Sequence, residues 1–337
     1  MPSRRSSSVL FWSSLLWCVG PAAHAQTLIT TASSVRLRAE ATTESRVLAE
    51  LPLGTEIVTC DGAADGWLHV ETADGRAGWI ASALATEVTP ERRASVIADL
   101  ARSRLRRPAE TLASRLELVA LLERERASAL ERAPVRGPAR ERAAALDGGA
   151  PTFGDEGAAR LELYWWKALE ATLEAMPYGA HPSASLDAWL AAHEREVAYH
   201  DTKGRYVLKP EALHRAHDRW RGTSAAEDLL WLAVANGYPG ECEGLLSCYI
   251  ARADGAEGEY VRWYPEGRHL DEAMRRLLEQ AAWWKLRVEQ RYGFEPTLEC
   301  REITPLLATL RFGVETASHP DRQKMVALID DVRWRCQ

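Results

Sequence analysis

The sequence of 337 residues predicts a multidomain chain of α and β type, in which a small N-terminal β-barrel precedes a mainly α-helical region with one short β-hairpin. Two observations predict this fold class. Between residues 34 and 84, short runs of alternating apolar and polar residues are separated by turn residues, a pattern typical of strands. After residue 89, apolar residues recur every three or four positions, which is the period of an amphipathic helix.

The first 25 residues have the composition of a secretory signal peptide. Arg4 and Arg5 precede an apolar run over residues 9–20, and Ala-His-Ala at positions 23–25 provides small residues for cleavage. The apolar run is shorter than the roughly 20 residues that a membrane span needs. We therefore expect cleavage after Ala25 and a mature chain that is periplasmic or secreted, with no stable membrane span.

Five short strands are predicted between residues 34 and 84. Asp65-Gly66 and Asp74-Gly75 are dipeptides that favour tight hairpin turns, and Gly54 lies in a further turn. A small module of this kind usually binds a partner and does not catalyse a reaction. The predicted strands are residues 35–38, 47–51, 56–60, 67–70 and 78–80.

The order of these strands and turns resembles that of the bacterial SH3 (SH3b) family. The resemblance covers residues 34–84 and implies an SH3-like β-barrel that holds a short peptide, such as a peptidoglycan stem or crossbridge, in a shallow groove. The residues that carry it are Val35, Leu37 and Arg38, then Val47, Leu51 and Gly54, then Gly66 and Trp67, and finally Gly78, Trp79 and Ile80.

The resemblance also implies which side chains contact the peptide. Arg38, Trp67 and Trp79 are the ligand-binding candidates, because a guanidinium pairs with a carboxylate and aromatic rings supply apolar contact area. The alternative for Trp67 and Trp79 is a structural one, since an indole beside a glycine in a small barrel often belongs to its core.

The rest of the chain is predicted to be helical, apart from a hairpin over residues 197–208 that turns at 201–204. A stretch rich in glycine, proline and alanine breaks the helical pattern and is the linker candidate. The predicted domains are a barrel over 26–88, a helical hairpin over 89–133, the linker over 134–157 and a disulfide-stapled helical domain over 158–337.

Three patterns characterise the helical region. Adjacent tryptophans at 165–166 and 283–284 must face different surfaces, since neighbours on a helix are about 100° apart, so we expect each of these helices to lie between others. The segment 258–292 resembles the helix-turn-helix unit of tetratricopeptide-type repeats, although one unit is too few for an array. The most regular apolar stripe consists of Leu270, Met274, Leu277, Ala281, Trp284 and Val288.

Five cysteines follow the predicted cleavage point, and an even subset of them should pair in an oxidising compartment. Of the three ways to pair four of them, we favour Cys242 with Cys248 and Cys300 with Cys336. Cys60 is expected to be a buried small apolar residue.

One arrangement suggests a cysteine peptidase, with Cys242 as the nucleophile and His269 as its base. The neighbouring Glu241 and Glu243 would raise the pKa of the thiol, and Cys248 lies close enough to pair with it. Paired carboxylates are numerous but cannot be placed, so a lysozyme-like hydrolase remains an alternative.

Metal binding has two candidate sets, each of which would share a helical face. Both sets are better explained as ordinary surface histidines, so we expect no metal site. We also expect no cofactor, no catalytic residue and no enzymatic activity. The two sets are His193, Glu196 and His200, and His214, His217 and Asp218.

The formal net charge is −6, and the charge is unevenly distributed. Residues 89–142 contain 13 arginines and 8 acids, and a basic segment of this kind can bind anionic polymers. Pairs such as Glu123 with Arg126 instead suit a solvated helix face, so no nucleic-acid partner is expected.

The predicted function is that of an exported, non-enzymatic binding or adaptor protein. Its SH3b barrel would recognise a peptidoglycan peptide or a protein peptide, and its helical region would be a platform for protein partners. Two alternatives remain: a periplasmic assembly scaffold without affinity for the cell wall, and a peptidoglycan hydrolase.

Overall fold

The computed structural model describes residues 26–108, 110–132, 153–176, 183–237, 241–290 and 296–336. The chain divides into an N-terminal unit, Met1–Arg93, and a C-terminal unit, Ala94–Gln337, which we call the β unit and the helical unit. The predicted signal peptide and most of the predicted linker lie outside the described residues. None of the described helices is both long enough and apolar enough to cross a bilayer.

The β unit is a seven-stranded antiparallel sheet in the order β3-β2-β6-β5-β4-β1-β7. Its core is a cluster of buried aliphatic side chains that includes Leu37, Val70 and Ile80. The predicted antiparallel β region is therefore confirmed. The strands are β1 Thr27–Thr30, β2 Val35–Arg38, β3 Val47–Leu51, β4 Glu56–Ala64, β5 Trp67–Thr72, β6 Ala77–Ala81 and β7 Ala85–Glu87.

Two strands of the sheet, β1 and β7, were not predicted. In β1 the adjacent residues Leu28 and Ile29 are both buried, and so is Thr30. The strand therefore lacks the alternation of apolar and polar residues that identifies a half-buried strand in a sequence.

The helical unit confirms the prediction of a mainly helical region with one small β-hairpin. Strand β8, Val197–His200, pairs with β9, Arg205–Leu208, as expected for residues 197–208. The helices are α1 Arg93–Leu105, α2 Leu112–Arg132, α3 Phe153–Ala175, α4 Ala184–Ala192, α5 Pro210–Arg219, α6 Ser224–Asn236, α7 Leu246–Ala253, α8 Glu259–Trp263, α9 Leu270–Gln290, α10 Pro296–Thr316 and α11 Arg322–Trp334.

The segment predicted as a helical hairpin packs differently in the structure. The main neighbour of α2 is α3, not α1. Helix α3 also begins at Phe153, within the range predicted as a linker. Gly157 explains the second difference: it lies inside the helix where a Cβ would be 3.0 Å from the Ser95 hydroxyl of α1, so the glycine permits a close helix contact and does not break the helix.

The apolar stripe predicted between residues 270 and 288 is buried along its whole length in α9. On α3, Trp165 and Trp166 are both buried, as expected for a helix with neighbours on two sides. On α9, Trp284 is fully buried, and Trp283 is 40% exposed but packs edge-on against Tyr249 of α7 with ring centroids 4.9 Å apart. Helix α9 therefore has packing partners on both sides, although the side of Trp283 is partly open to solvent.

Candidate functional site

Three aromatic rings lie on one face of the sheet at β5 and β6. Trp67 and His69 are two residues apart on β5, so their side chains leave the same side of the strand. His69 pairs directly with Trp79 of β6, and directly paired residues of antiparallel strands share a face. The centroids of the His69 and Trp79 rings are 5.0 Å apart. We call Trp67, His69 and Trp79 the aromatic face.

The aromatic face is separate from the core of the β unit. All three rings are half-buried, whereas Val70 and Ile80, the residues that follow His69 and Trp79, are fully buried. The side chains of successive strand residues point to opposite faces of the sheet. The indoles of Trp67 and Trp79 therefore lie outside the aliphatic core, and part of each ring is accessible to a ligand.

Arg38 belongs to the same row of side chains, because it pairs with Trp79 across β2 and β6. Its Nη1 donates a hydrogen bond of 2.7 Å to the carbonyl oxygen of Ser45, and the residue is only 9% exposed. This bond ties the loop between β2 and β3 to the sheet. That Arg38 also contacts the carboxylate of a ligand stays a prediction.

The glycines that precede the two tryptophans have different structural roles. Asp65 and Gly66 have φ angles of 42° and 85°, so both central residues of the turn between β4 and β5 are in the left-handed region, as in a type I′ hairpin. At Gly78 a Cβ would lie 2.7 Å from the carbonyl oxygen of Arg38. Both glycines thus position the backbone that presents Trp67 and Trp79.

A carboxylate continues the row of rings along β5. Glu71 is two residues beyond His69, and its Oε2 lies 3.9 Å from the Sγ of Cys60. The expectation that Cys60 is buried is wrong, because β4 continues to Ala64 and the Cys60 thiol is half-buried on the side of the strand opposite the core residue Ile57.

Both predicted disulfides are present, Cys242 with Cys248 and Cys300 with Cys336. Cys242 is therefore not a thiol, which removes the nucleophile from the cysteine-peptidase alternative. Its supposed base, His269, stacks on Trp231 with ring centroids 4.7 Å apart, and its Nε2 lies 3.1 Å from Asp228 Oδ1.

The first set of metal candidates does not share a helical face. Helix α4 ends at Ala192, so His193 follows the helix and His200 lies on β8. His193 is buried, which alone would lower its pKa, but its contacts with Glu123 Oε1 at 3.1 Å and the Trp189 carbonyl raise the pKa above its usual value.

The structure brings the second set of metal candidates together only in part: His217 Nδ1 lies 3.1 Å from Asp218 Oδ1, but His214 contacts a carboxylate outside the set. His217 is buried against the Tyr264 hydroxyl at 3.0 Å, and this burial lowers its pKa. His214 instead lies 3.4 Å from Glu259. Within the part of the chain that the structure describes, no three His, Cys, Asp or Glu side chains are grouped so that they could hold one metal ion.

The sequence prediction omitted His69, which completes the aromatic face. The period of two along β5 contains the signal that would have found it, because Trp67, His69 and Glu71 alternate with Leu68 and Val70.

The family comparison identifies the β unit. Residues 33–85 match the family model for the bacterial SH3 domain, and all three rings of the aromatic face lie within the match. No curated protein and no solved structure matches the chain in the other two comparisons. Residues 33–85 thus form a bacterial SH3 domain, which supports a binding module.

Proposed function

We propose that this protein is an exported, non-enzymatic adaptor whose bacterial SH3 domain binds a cell-wall peptide. The observation that carries the proposal is the aromatic face, where three half-buried rings lie on one side of the sheet outside the core. Tryptophan rings supply large apolar contact areas, and their N–H groups can bind a peptide carbonyl. In this proposal Trp67 and Trp79 contact the apolar side chains of a stem or crossbridge peptide.

Charged groups at the edges of the aromatic face give the bound peptide a direction. Glu71 lies on the same side of β5 as Trp67 and His69 and provides an acceptor for a peptide amine. Arg38 lies at the other side of Trp79, where its guanidinium can attract a carboxylate although one of its N–H groups is used by Ser45. A peptide with both charges would then lie across β5, β6 and β2.

Export of the mature chain is supported by its cysteine chemistry. Two disulfides join four of the described cysteines, and such bonds persist in oxidising compartments outside the cytoplasm. In the proposal the helical unit, held by both disulfides, is a platform for protein partners.

A non-enzymatic role is favoured by the state of Cys242. Its sulfur is bonded to Cys248, so the arrangement that most resembled a peptidase site has no thiolate to attack a peptide bond. We propose that the protein holds its ligand and does not cleave it.

Cosedimentation of the mature chain with purified peptidoglycan tests this function. We expect retention on the wall, and we expect Trp67→Ala or Trp79→Ala to weaken it at least about tenfold, because an aromatic anchor often contributes 2 kcal/mol or more to binding. Trp334→Ala is the matched control, since Trp334 is 72% exposed on the helical unit.

Two other results would support the alternatives. A mature chain that is not retained on the wall, but captures a protein partner through the helical unit, would favour the assembly scaffold. Release of soluble muropeptides from the wall would favour the hydrolase. Either result would overturn the proposal.

A further inference from the structure

A polar cleft of about 210 Å³ lies in the helical unit, far along the sequence from the bacterial SH3 domain. It is bordered by the C-terminal half of α3, by the β8–β9 hairpin and by the end of α6. Pockets for drug-sized ligands usually measure about 300–1,000 Å³, so this cleft suits a smaller molecule.

One wall of the cleft is acidic. Glu170 and Glu174 are four residues apart on α3 and therefore lie on the same side of the helix. Burial raises the pKa of Glu170; a hydrogen bond from Asn236 opposes this shift, and the neighbouring negative charge of Glu174 adds to it. Glu170 is thus a partly dehydrated carboxylate, and the exposed Glu174 beside it adds a second negative charge to this wall.

The opposite wall is basic. Lys203 lies in the turn of the β8–β9 hairpin and Arg205 begins β9. Burial lowers the pKa of Lys203, and the positive charge of Arg205 lowers it further. Half-buried Tyr206 adds an aromatic surface to the same wall.

Asn236, at the end of α6, forms the floor and holds the two walls apart. Its Nδ2 donates to Glu170 Oε1 at 2.9 Å, and its carbonyl oxygen accepts a 2.9 Å hydrogen bond from Lys203 Nζ. Its Oδ1 accepts from the backbone N–H of Leu208 in β9. The residue is 8% exposed, so these bonds fix its position between α3 and the hairpin.

The charges of the two walls are not joined. Among the residues that the structure describes, no salt bridge involves Glu170, Glu174, Lys203 or Arg205. Each wall therefore has two like charges side by side, and the opposite charges face each other across an open space. Like-charge neighbours repel on each wall. Lys167 and Arg205 offset part of the negative charge at Glu170, and a ligand with a charge of each sign would relieve the remaining repulsion on both walls.

We propose that this cleft binds a small zwitterion, an amino acid or a short peptide, with its ammonium group at Glu170 and Glu174 and its carboxylate at Lys203 and Arg205. Tyr206 contacts the side chain of the ligand. Charge-assisted hydrogen bonds at both ends select a ligand with two free termini over one that has a blocked terminus.

Calorimetric titration of the full chain tests the proposal with L-alanine, Ala-Ala, N-acetyl-Ala-Ala and Ala-Ala amide. We expect one of the two zwitterions to bind, and each blocked peptide to bind at least about tenfold more weakly than Ala-Ala if the dipeptide is the ligand. If L-alanine binds more tightly than Ala-Ala, the ligand of the cleft is a free amino acid. N-acetylalanine and alanine amide are then the blocked ligands with which L-alanine is compared.

Two substitutions assign each end of the ligand to a wall. Glu174→Gln should remove the preference for a free ammonium group, and Arg205→Met should remove the preference for a free carboxylate. Both side chains are exposed, so these substitutions leave the packing intact. The matched controls, Glu302→Gln on α10 and Lys324→Met on α11, remove the same charges at exposed positions and should change nothing.

The proposal is overturned if neither zwitterion binds at concentrations of about 10 mM. It is also overturned if the blocked and free ligands bind equally well, or if the two wall variants bind as the controls do. Because the aromatic face is unchanged in all these variants, a negative result here leaves the wall-binding proposal intact.

Discussion

Glu162 is the buried charge on which the packing of α2, α3 and α5 depends. The residue is 1% exposed and accepts hydrogen bonds from three side chains. Arg219 Nη1 lies 2.9 Å from Oε1, Arg126 Nη2 lies 3.2 Å from the same atom, and Trp220 Nε1 lies 2.6 Å from Oε2. Glu162→Gln would keep the shape of the side chain while removing its charge and turning one acceptor into a donor.

The cost of this substitution follows from the exposure of the three donors. Breaking a buried ion pair usually costs about 3–5 kcal/mol. Arg126 and Arg219 have side chains that are 22% and 43% exposed, so water can replace part of their lost bonds. The glutamine would keep one acceptor oxygen, so its NH2 group would face either the N–H of Trp220, a residue that is 5% exposed, or the two guanidinium groups, at a cost of about 1–3 kcal/mol for the unsatisfied donors. We therefore expect Glu162→Gln to lower the free energy of unfolding by about 3 kcal/mol, at the lower end of the range for a buried ion pair.

Thermal unfolding of residues 26–337, followed by circular dichroism at a helix-sensitive wavelength, measures this loss. For a unit of this size, 3 kcal/mol corresponds to a decrease in Tm of about 6–12 °C. Glu272→Gln is the control, since Glu272 also bonds to two arginines, Arg275 and Arg276, but on an exposed surface. An equal decrease in Tm for both variants, or none for Glu162→Gln, would refute the assignment of Glu162 as a buried structural charge.

Three further predictions concern the rest of the chain. Because the pKa of His193 is raised in the folded protein, its contact with Glu123 stabilises the fold fully below pH 6.5, and this stabilisation is lost as the pH rises through the raised pKa. His193→Gln should therefore lower the free energy of unfolding more at pH 6 than at pH 8.5. Equal decreases at the two pH values would contradict this. Gly78→Ala should destabilise the β unit by about 1–3 kcal/mol in tryptophan fluorescence, since its Cβ would meet the backbone of β2, and an unchanged midpoint would be inconsistent with that contact. Replacing Cys300 and Cys336 by serine should lower the free energy of unfolding by about 4 kcal/mol, and replacing Cys242 and Cys248 should lower it by about 2 kcal/mol, because the two disulfides close loops of 36 and 6 residues. If denaturant unfolding showed the larger decrease for Cys242 and Cys248, the loop-entropy explanation would be disproved.

The strands that could be predicted from the sequence are those with one face in the core. Residues 35–38 and 47–51 were predicted with the bounds that β2 and β3 have, because apolar and polar residues alternate or turn residues mark their ends. The short strands β1 and β7 lie next to each other at one edge of the sheet, and the burial of three successive residues in β1 conceals its period.

The helical region shows the same limit. The stripe of α9 was predicted because it has one buried side, from Leu270 to Val288. The beginning of α3 was not, because Gly157 looks like a helix breaker until its contact with Ser95 is known. The choice of neighbouring helices depends on contacts between residues that are far apart in the sequence, such as Arg219 with Glu162. A local sequence pattern does not predict such contacts.

The two candidate sites differ in how far the sequence predicts them. Trp67 and Trp79 could be predicted because each follows a glycine in a motif of the bacterial SH3 family, although the pairing of Trp79 with His69 depends on the register of β5 and β6. The polar cleft of the helical unit could not be predicted, since it joins Glu170, Lys203 and Asn236 from three separate elements. Only the packing of α3, the hairpin and α6 brings these side chains together.

The most direct test of the proposed wall-binding function is an NMR titration of ¹⁵N-labelled residues 26–337 with a synthetic stem peptide. The indole N–H signals of Trp67 and Trp79, assigned by their loss in Trp67→Phe and Trp79→Phe, should shift together and saturate with one dissociation constant. The signal of Trp334 should stay in place. Shifts confined to the helical unit, or no shift of either indole while the chain still binds the wall, would contradict the assignment of the aromatic face as the peptide-binding surface.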